Sequence, residues 1–226
     1  MIKLDNVTKV FTTGHGLTDI TLAIDKGEFA FLVGPTGSGK TTFFRLLIRE
    51  MLPTKGDITV AEYDLIKLPN RKIPHLRKKI GVVFQNLKLL FDRTVFENII
   101  LPLEFVGEKP HVAKKKVEEV MEQVGISVHR DKFPVQLSGG ELQRAAIARA
   151  LILSPEILLA DEPTGNLDPE TGKEIVKLLM DINEKGTTIV MATHNEEIVN
   201  SMAKRVIALD KGRLVRDEKK GKYGSS

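Results

Sequence analysis

A glycine-rich segment behind a short apolar run constrains the fold of this chain more than any other feature. Residues 29–33 are apolar, and Gly34-Pro-Thr-Gly-Ser-Gly-Lys40-Thr41 follows them directly. A helical pattern then runs over residues 41–51. A strand, a loop of the form G-x-x-x-x-G-K-[ST] and a helix in this order predict a phosphate-binding loop. The alternative is a glycine turn with an incidental lysine, and it does not explain why the pattern and its placement agree.

The physical reason for this pattern lies in the backbone of the loop. Glycines allow it to curl until successive N–H groups point at phosphate oxygens, and the following helix adds its positive N-terminus. We expect Lys40 to reach the β- and γ-phosphates and the Thr41 hydroxyl to ligate Mg²⁺. The predicted nucleotide-binding residues of the loop are Gly34, Pro35, Thr36, Gly37, Ser38, Gly39, Lys40, Thr41 and Thr42.

Two adjacent carboxylates end another apolar run. Residues 157–160 lead directly into Asp161 and Glu162. Because ligands of open α/β sheets bind at the carboxyl ends of the strands, we expect both side chains beside the phosphate-binding loop. Asp161 would hold Mg²⁺ through water, and Glu162 would act as general base, a role that typically contributes about 10²- to 10⁴-fold. The alternative is an acidic pair in a turn or at a helix start.

The order of apolar runs and helical patterns predicts an α/β protein with a mostly parallel core sheet. Residues 2–10 and 17–24 alternate instead like antiparallel strands, with Gly14 and Gly16 in the turn between them. We expect strands over residues 29–33, 80–84, 157–160, 187–191 and 205–209, and helices over residues 41–51, 94–105, 112–124, 138–153, 169–184 and 196–202.

The middle of the chain carries helical patterns and no convincing strand, which predicts a helical subdomain inserted into the core. We expect one domain over residues 1–226. Its RecA-like core, with the N-terminal β subdomain, would comprise residues 1–90 and 154–216. The helical subdomain would comprise residues 91–153, and a polar tail over residues 217–226 would fray.

Composition narrows the possible partners. The chain has 34 lysines and arginines against 30 acidic residues, and this net charge of +4 is too small an excess to indicate nucleic acid, so we expect none. The absence of cysteine excludes disulfides and thiolate-ligated metals, and it permits a reducing cytoplasmic location. The start is unlike a secretory signal, and no run approaches the roughly 18 apolar residues that a membrane span needs. We therefore expect any membrane connection to come through a partner.

A second motif, Leu137-Ser138-Gly139-Gly140-Glu141, precedes an apolar-patterned helix. Ser138 is a good N-cap, and Glu141 lies three residues on, as in a capping box. Capping alone does not explain two consecutive glycines at the first helical positions, where they weaken a helix. Together with the phosphate-binding loop, this motif resembles the signature of the ATP-binding cassette (ABC) ATPases. The resemblance implies that Ser138, Gly139, Gly140 and Glu141 cap the γ-phosphate of a nucleotide bound to a second subunit.

Other positions resemble motifs of the same family, in the family's order along residues 2–216. Gln85 resembles the Q-loop glutamine, which touches Mg²⁺, and His194 resembles the switch histidine that contacts the γ-phosphate. Phe11 takes the place of the aromatic residue that stacks on adenine. The D-loop, which runs between the two sites of a dimer, is matched by Asn166, Leu167 and Asp168.

The resemblance thus implies a catalytic set and a metal site. The catalytic residues would be Glu162, His194, Gln85 and Lys40. The Mg²⁺ ligands would be Thr41, Gln85 and, through water, Asp161. Four further histidines match nothing and are interpreted as surface or core residues, namely His15, His75, His111 and His129.

The segment Asp161-Glu-Pro-Thr-Gly-Asn-Leu-Asp168 resembles the subfamily of cell-division, lipoprotein-releasing and macrolide-type cassettes, and the end of the chain resembles the cell-division members most. This resemblance implies Mg²⁺-dependent ATP hydrolysis by an ATP-dependent head-to-tail homodimer. The homodimer would lie on the inner face of the plasma membrane and drive an integral membrane protein resembling FtsX, which regulates peptidoglycan hydrolysis. Asn195, where aspartate is frequent, and Leu142, where glutamine is common, depart from the pattern without removing a catalytic group.

Two alternatives differ in partner or in class. The first is an ATPase subunit of a lipoprotein-releasing or macrolide-type exporter. The second is a soluble DNA-repair ABC ATPase, which is disfavoured because the segment between Gln85 and Ser138 leaves no room for a long coiled coil and zinc cysteines are absent.

Two surface features remain open. Residues 86–91 place apolar side chains in a segment of loop character, either as a groove for a helix of the membrane partner or as subdomain core. Basic residues cluster at residues 71–79 and 114–116, either as solvated faces or as contacts to anionic lipid head groups worth about 1 kcal/mol per residue.

Overall fold

The computed structural model describes residues 1–12 and 14–224, apart from the side chain of His15, which lies outside the described part together with our interpretation of it. The strands are β1 Ile2–Phe11, β2 Gly14–Ile24, β3 Phe29–Val33, β4 Lys55–Val60, β5 Tyr63–Asp64, β6 Ile80–Val83, β7 Ile157–Asp161, β8 Thr188–Ala192, β9 Arg205–Asp210 and β10 Arg213–Glu218. The α-helices are α1 Lys40–Leu47, α2 Ile73–Lys78, α3 Val95–Phe105, α4 Pro110–Val124, α5 Gly139–Leu151, α6 Pro169–Glu184 and α7 Glu196–Met202.

The core sheet has the strand order β10-β9-β3-β8-β7-β6. Strands β9, β3, β8, β7 and β6 run parallel, and β10 pairs with β9 in the antiparallel direction. Every residue of β3 and β8 is buried, as expected of strands that are covered on both faces. The predicted α/β fold with a mostly parallel core sheet is confirmed.

A second, antiparallel sheet has the order β2-β1-β4-β5, and the predicted antiparallel N-terminal strands are therefore confirmed. The turn between β1 and β2 is placed differently from our prediction. Gly14 pairs with Phe11, so that Gly14 and Gly16 both belong to β2. A Cβ at Gly16 would lie 2.5 Å from Cε2 of Phe11, so the glycine lets the ring of Phe11 lie against the strand.

Helices α3, α4 and α5 lie between β6 and β7 in the chain, where three helices were predicted. They pack on one another through buried apolar side chains that include Ile99, Val117 and Ile147. Helices α6 and α7 have the predicted bounds. Within residues 1–12 and 14–224, no helix has both the length and the apolar character needed to cross a bilayer.

Helix α1 is shorter than predicted, since it ends at Leu47 and not near Met51. Arg49 adopts a left-handed backbone conformation with φ of 54°, which no helix residue can share. The guanidinium of Arg77 donates to the carbonyl oxygens of Ile48 and Arg49 at 3.1 and 3.3 Å and holds the turn in place.

Residues 217–224 of the predicted polar tail make specific contacts where we expected fraying, and residues 225–226, the rest of that tail, lie outside the described part. Strand β10 continues to Glu218, and Asp217 pairs with Arg205 at 2.7 Å. Further on, the backbone N–H of Tyr223 donates to Oδ1 of Asn200 at 2.7 Å. Specific polar pairing therefore orders a segment whose composition alone indicates solvent exposure.

Candidate active site

The loop between β3 and α1 owes its shape to three glycines. Gly34, Gly37 and Gly39 have φ of 145°, 81° and 108°, a region that other residues rarely adopt. A Cβ at Gly34 would collide with the carbonyl oxygen of Leu209, and a Cβ at Gly39 would lie 2.9 Å from the carbonyl oxygen of Gly16. The backbone of the neighbouring strands thus lies so close to residues 34 and 39 that only glycine fits at these two positions.

The turn between β9 and β10 contacts the phosphate-binding loop through a backbone hydrogen bond. The backbone N–H of Gly212 donates to the carbonyl oxygen of Ser38 at 3.0 Å. The hydroxyl of Ser38 is buried and has no hydrogen-bond partner within the described residues. This hydroxyl therefore retains its capacity to bind a ligand.

A cavity of about 370 Å³ opens above the loop. Gly34 and Pro35 lie outside its lining, whereas the other predicted loop residues, both carboxylates, Gln85 and His194 face it. Gly16 also lines the cavity, and our sequence analysis missed it because it was interpreted as part of a turn. The lining residues are Phe11, Gly16, Thr36, Gly37, Ser38, Gly39, Lys40, Thr41, Thr42, Gln85, Asp161, Glu162 and His194.

Lys40 begins α1 and turns its ammonium back into the loop. Its Nζ donates to the carbonyl oxygens of Gly34 and Pro35 at 2.7 and 3.2 Å. A phosphate in the cavity would offer this ammonium anionic acceptors, which form stronger hydrogen bonds than neutral carbonyls do.

Asp161 is the last residue of β7, so the sheet delivers its carboxylate to the edge where the loop lies. Its Oδ2 accepts from the Thr41 hydroxyl at 3.4 Å. Burial raises the pKa of Asp161, and the neighbouring charge of Glu162 raises this pKa further. The ligand-free site therefore carries more negative charge than its surroundings stabilise.

Glu162 follows Asp161 and faces His194. Its Oε1 lies 2.9 Å from Nδ1 of His194, and its side chain is only 10% exposed. Its Oε2 is buried without a hydrogen-bond partner within the described residues. Glu162 lines the cavity, and a carboxylate with an oxygen that accepts no hydrogen bond retains the capacity to take up a proton.

Gln85 follows β6, and the loop behind it is held from α5. Leu87 and Lys88 both have φ of 54°, a left-handed conformation. The guanidinium of Arg149 donates to their carbonyl oxygens at 2.6 and 2.7 Å. This pair of hydrogen bonds links α5 to the loop that carries Gln85.

The motif at the start of α5 forms the predicted capping box. The backbone N–H of Ser138 donates to Oε2 of Glu141 at 2.6 Å, and the backbone N–H of Glu141 donates to Oγ of Ser138 at 3.4 Å. A Cβ at Gly139 would lie 3.1 Å from Cδ2 of Leu167, and a Cβ at Gly140 would lie 2.5 Å from Cγ2 of Thr171. The two glycines therefore permit the close approach of α5 to the first turn of α6 and to the segment that precedes α6.

That segment contains the predicted D-loop. Asp168 caps α6, because its Oδ1 accepts from the backbone N–H of Thr171 at 3.0 Å. A hydrogen bond with the Thr171 side chain, followed by this backbone bond, lowers the pKa of Asp168. Asn166 is exposed and Leu167 is half-buried against α5. Neither residues 138–141 nor residues 166–168 belong to the lining of the cavity in their own chain.

This arrangement of loop, strand-end carboxylates and histidine defines an ATP-hydrolysing cassette, and comparison with known proteins gives the same class. The family described as ABC transporter matches residues 17–165, and the chain belongs to this family of ATP-binding cassette ATPases. More particularly, the chain is 51% identical over 226 residues to the cell division ATP-binding protein FtsE of Bacillus subtilis, covering 100% of this chain and 99% of the relative. It is 52% identical to the protein of the same name from Mycobacterium tuberculosis, covering 99% and 98% of the two chains.

A solved structure is similar over the same length. It shows a dimeric ATP-binding cassette, MJ0796, in a post-hydrolysis state bound to ADP and Pi. The TM-score is 0.88 with 36% sequence identity, and the match covers 99% of this chain and 100% of that chain.

Proposed function

We propose that this chain is the ATPase subunit of an FtsEX-type complex and hydrolyses ATP with Mg²⁺ at sites that two copies of the chain share. The observation that carries the proposal is the 2.9 Å contact between Glu162 and His194 at the cavity above the phosphate-binding loop. Glu162 acts as general base on the attacking water, and His194 orients it and contacts the γ-phosphate. The backbone N–H groups of the loop and the ammonium of Lys40 stabilise the phosphates.

The donor set fits a small, hard cation. The hydroxyl of Thr41 and the carboxylate of Asp161 lie in contact, and Gln85 lines the same cavity. Oxygen ligands of this kind suit Mg²⁺, which keeps several waters and binds through few protein groups. When it is bound, the ion neutralises charge on the phosphates. Phe11 stands at the cavity with its ring over Gly16, where it can stack on the adenine.

The second copy supplies what the cavity lacks in one chain. Ser138 and the N–H groups of Gly139 and Gly140 form a helix N-terminus, which attracts phosphate, yet they lie outside the cavity of their own chain. In a head-to-tail dimer they cap the γ-phosphate of the partner, and the D-loop runs between the two sites. The solved cassette supports this proposal, since that protein is a dimer in a post-hydrolysis state and binds ADP and Pi.

Phosphate release by the purified chain tests the hydrolytic step. Glu162→Gln should lower kcat by about 10²- to 10⁴-fold and leave ATP binding intact, because the amide cannot accept the proton. Lys40→Ala should lose affinity for a fluorescent ATP analogue. Near-normal turnover by Glu162→Gln would refute the assignment of the base.

A groove beside the nucleotide cavity is the proposed seat of an integral membrane partner resembling FtsX. It has a volume of about 640 Å³, and its walls combine apolar and basic side chains. In the segment of residues 86–91, Leu89 is buried in the core, whereas Leu90 and Phe91 are 38% and 61% exposed. Leu89 thus fits the interpretation as subdomain core. Of residues 86–91, Lys88 lines the groove, and we propose that the docking surface extends from it to Leu90 and Phe91. The groove-lining residues include Ile48, Arg77, Phe84, Lys88, Leu101, Pro102 and Arg149.

Co-purification tests this docking. Leu90→Asp should release the membrane partner and leave ATP binding intact, because a charge enters the apolar contact. Val215→Asp is the matched control, since Val215 is 61% exposed on β10 and should change neither property. If folded Leu90→Asp retains the partner, the exposed side chains of residues 86–91 do not form the docking surface.

The same proposal places the chain in the cytoplasm, on the inner face of the plasma membrane, where the cycle of ATP binding and hydrolysis drives the partner to regulate peptidoglycan hydrolysis. Contact with anionic lipid is the weaker part of the proposal. Within the cluster of residues 114–116, Lys115 pairs with Glu119 and Lys116 with Glu108, a pattern typical of a solvated helix face.

A further inference from the structure

We propose that His129 is a positioning residue of the signature motif: it fixes the carboxylate of Glu141 and, through that carboxylate, holds Ser138 in the geometry that the partner chain's nucleotide requires. His129 ends a 3₁₀ turn, Ser127–His129, that packs beside the start of α5. Its Nε2 lies 2.7 Å from Oε1 of Glu141, and its side chain is only 18% exposed. Our sequence analysis gave His129 no role.

The contact occupies the second oxygen of a carboxylate whose first oxygen is already in use. Oε2 of Glu141 accepts from the backbone N–H of Ser138, and Oε1 faces His129. A carboxylate that is hydrogen-bonded at one oxygen can still rotate about that bond, whereas a short contact at the other oxygen restrains this rotation. Because Glu141 and Ser138 cap each other, a fixed Glu141 also fixes the first turn of α5.

A second capping box in the same molecule shows that capping itself does not need a histidine. At α3, the backbone N–H of Thr94 donates to Oε2 of Glu97 at 2.7 Å, and the backbone N–H of Glu97 donates to Oγ1 of Thr94 at 3.2 Å. No histidine contacts Glu97 in the described part of the chain. The box at α5 has the same geometry, so His129 adds a restraint and not the cap.

Packing does not explain His129 either. Its Nδ1 is buried and finds no hydrogen-bond partner in residues 1–12 and 14–224. Burying a polar nitrogen without a partner is unfavourable, and an apolar side chain of similar size would avoid this cost. The contact of Nε2 with Glu141 is the favourable interaction that an apolar residue could not make.

The inference rests on the proposed site shared by two chains, and dimerisation in the Glu162→Gln background tests it. Analytical ultracentrifugation with ATP should show a dimer for Glu162→Gln alone. Adding His129→Ala or His129→Asn should weaken dimerisation about tenfold or more, as expected from losing a short polar contact with a charged group. His129→Gln should restore it, because the glutamine amide nitrogen can reach the position of Nε2, whereas the asparagine amide reaches only that of Nδ1. Affinity of the monomer for a fluorescent ATP analogue should stay within about twofold in all variants.

A matched control separates positioning from stability. Glu97→Gln weakens the equivalent box at α3 and should lower Tm without changing ATP-dependent dimerisation. Dimerisation of His129→Ala at the background level, or failure of His129→Gln to restore it while folded, would overturn the role of His129. If Glu162→Gln alone does not dimerise, the shared site itself is wrong, and the inference is overturned with it.

Discussion

Glu162 combines two unfavourable features in one residue. Its φ of 48° is left-handed, a conformation that costs a non-glycine residue of order 1–3 kcal/mol, and its Oε2 is buried without a partner within the described residues. Hydrogen bonds from its N–H to Ala192 and from Gly165 to its carbonyl oxygen hold the strained backbone. A residue retained under such conditions is consistent with the catalytic role that we propose for it.

Asp161 should reduce the stability of the ligand-free protein at neutral pH. Its pKa is raised by burial and by Glu162, so the folded state favours the protonated form. The resulting stabilisation is present below the ordinary pKa of 3.8 and is lost as the pH rises through the higher folded pKa. Asp161→Asn should therefore raise Tm at pH 7 without Mg²⁺, and the gain should shrink towards pH 4. The same variant should lose Mg²⁺-dependent hydrolysis.

Thermal unfolding of both proteins across this pH range checks the prediction. Asp181→Asn is a suitable control, because Asp181 is exposed on α6 and the change should stay within about 0.5 kcal/mol at every pH. A lower Tm for Asp161→Asn at pH 7 would show that the carboxylate stabilises the empty site.

At the scale of elements, the contact between α5 and the first turn of α6 depends on the absence of a side chain at residue 140. Because a Cβ there would lie 2.5 Å from Cγ2 of Thr171, Gly140→Ala should destabilise the fold by about 1–3 kcal/mol. The cost should appear even though alanine is the better helix former. Chemical denaturation measures it.

A double-mutant cycle isolates this contact. Thr171→Ala removes Cγ2 and should recover most of the loss in the Gly140→Ala background. Gly172→Ala on α6 is the control, since its Cβ would meet Thr164 at an ordinary 3.7 Å. Equal free energies of unfolding for Gly140→Ala and wild type would contradict the close approach.

The sequence predicted elements best where local signals agreed. Helix α6 begins at a proline after the N-cap Asp168, and its apolar stripe ends near Glu184, so both bounds were predictable. The end of α1 was not, because it depends on Arg77, which is distant in sequence. The hydrogen bonds from Arg149 to the loop after Gln85 likewise join residues about sixty positions apart. Such a contact leaves no local pattern in the sequence, so it could not be predicted.

The residues of the candidate site likewise divide into those that local sequence signals predict and those that depend on distant contacts. Lys40, Thr41, Asp161 and Glu162 could be predicted from spacing and chemistry alone, because each lies at or next to the end of an element at one edge of the sheet. Gly16 could have been found only by noticing that a glycine lies within a strand pattern, which often marks a close approach of another group. Nothing local could have indicated His129, since its role depends on a contact between a 3₁₀ turn and the start of α5.

At the scale of the whole molecule, the groups that we propose for hydrolysis lie on separate surfaces of one chain. The phosphate-binding loop, Asp161, Glu162 and His194 line one cavity, and residues 138–141 with the D-loop lie outside it. The net charge of +4 carries no information on this division. Two complete sites therefore require two chains, and a lone chain should be a poor ATPase.

Mixing two inactive variants tests this requirement most directly. Lys40→Ala lacks the phosphate-binding lysine, and Ser138→Arg blocks the signature motif, so each variant alone should show little phosphate release. In the mixed dimer, the loop of the Ser138→Arg chain faces the signature of the Lys40→Ala chain, which completes one of the two sites. We predict that mixing restores ATP hydrolysis towards half the wild-type rate per mixed dimer. If both variants are folded, the Ser138→Arg chain binds ATP and the mixture still only adds the activities of its two components, the sites are not shared and the proposed mechanism is wrong.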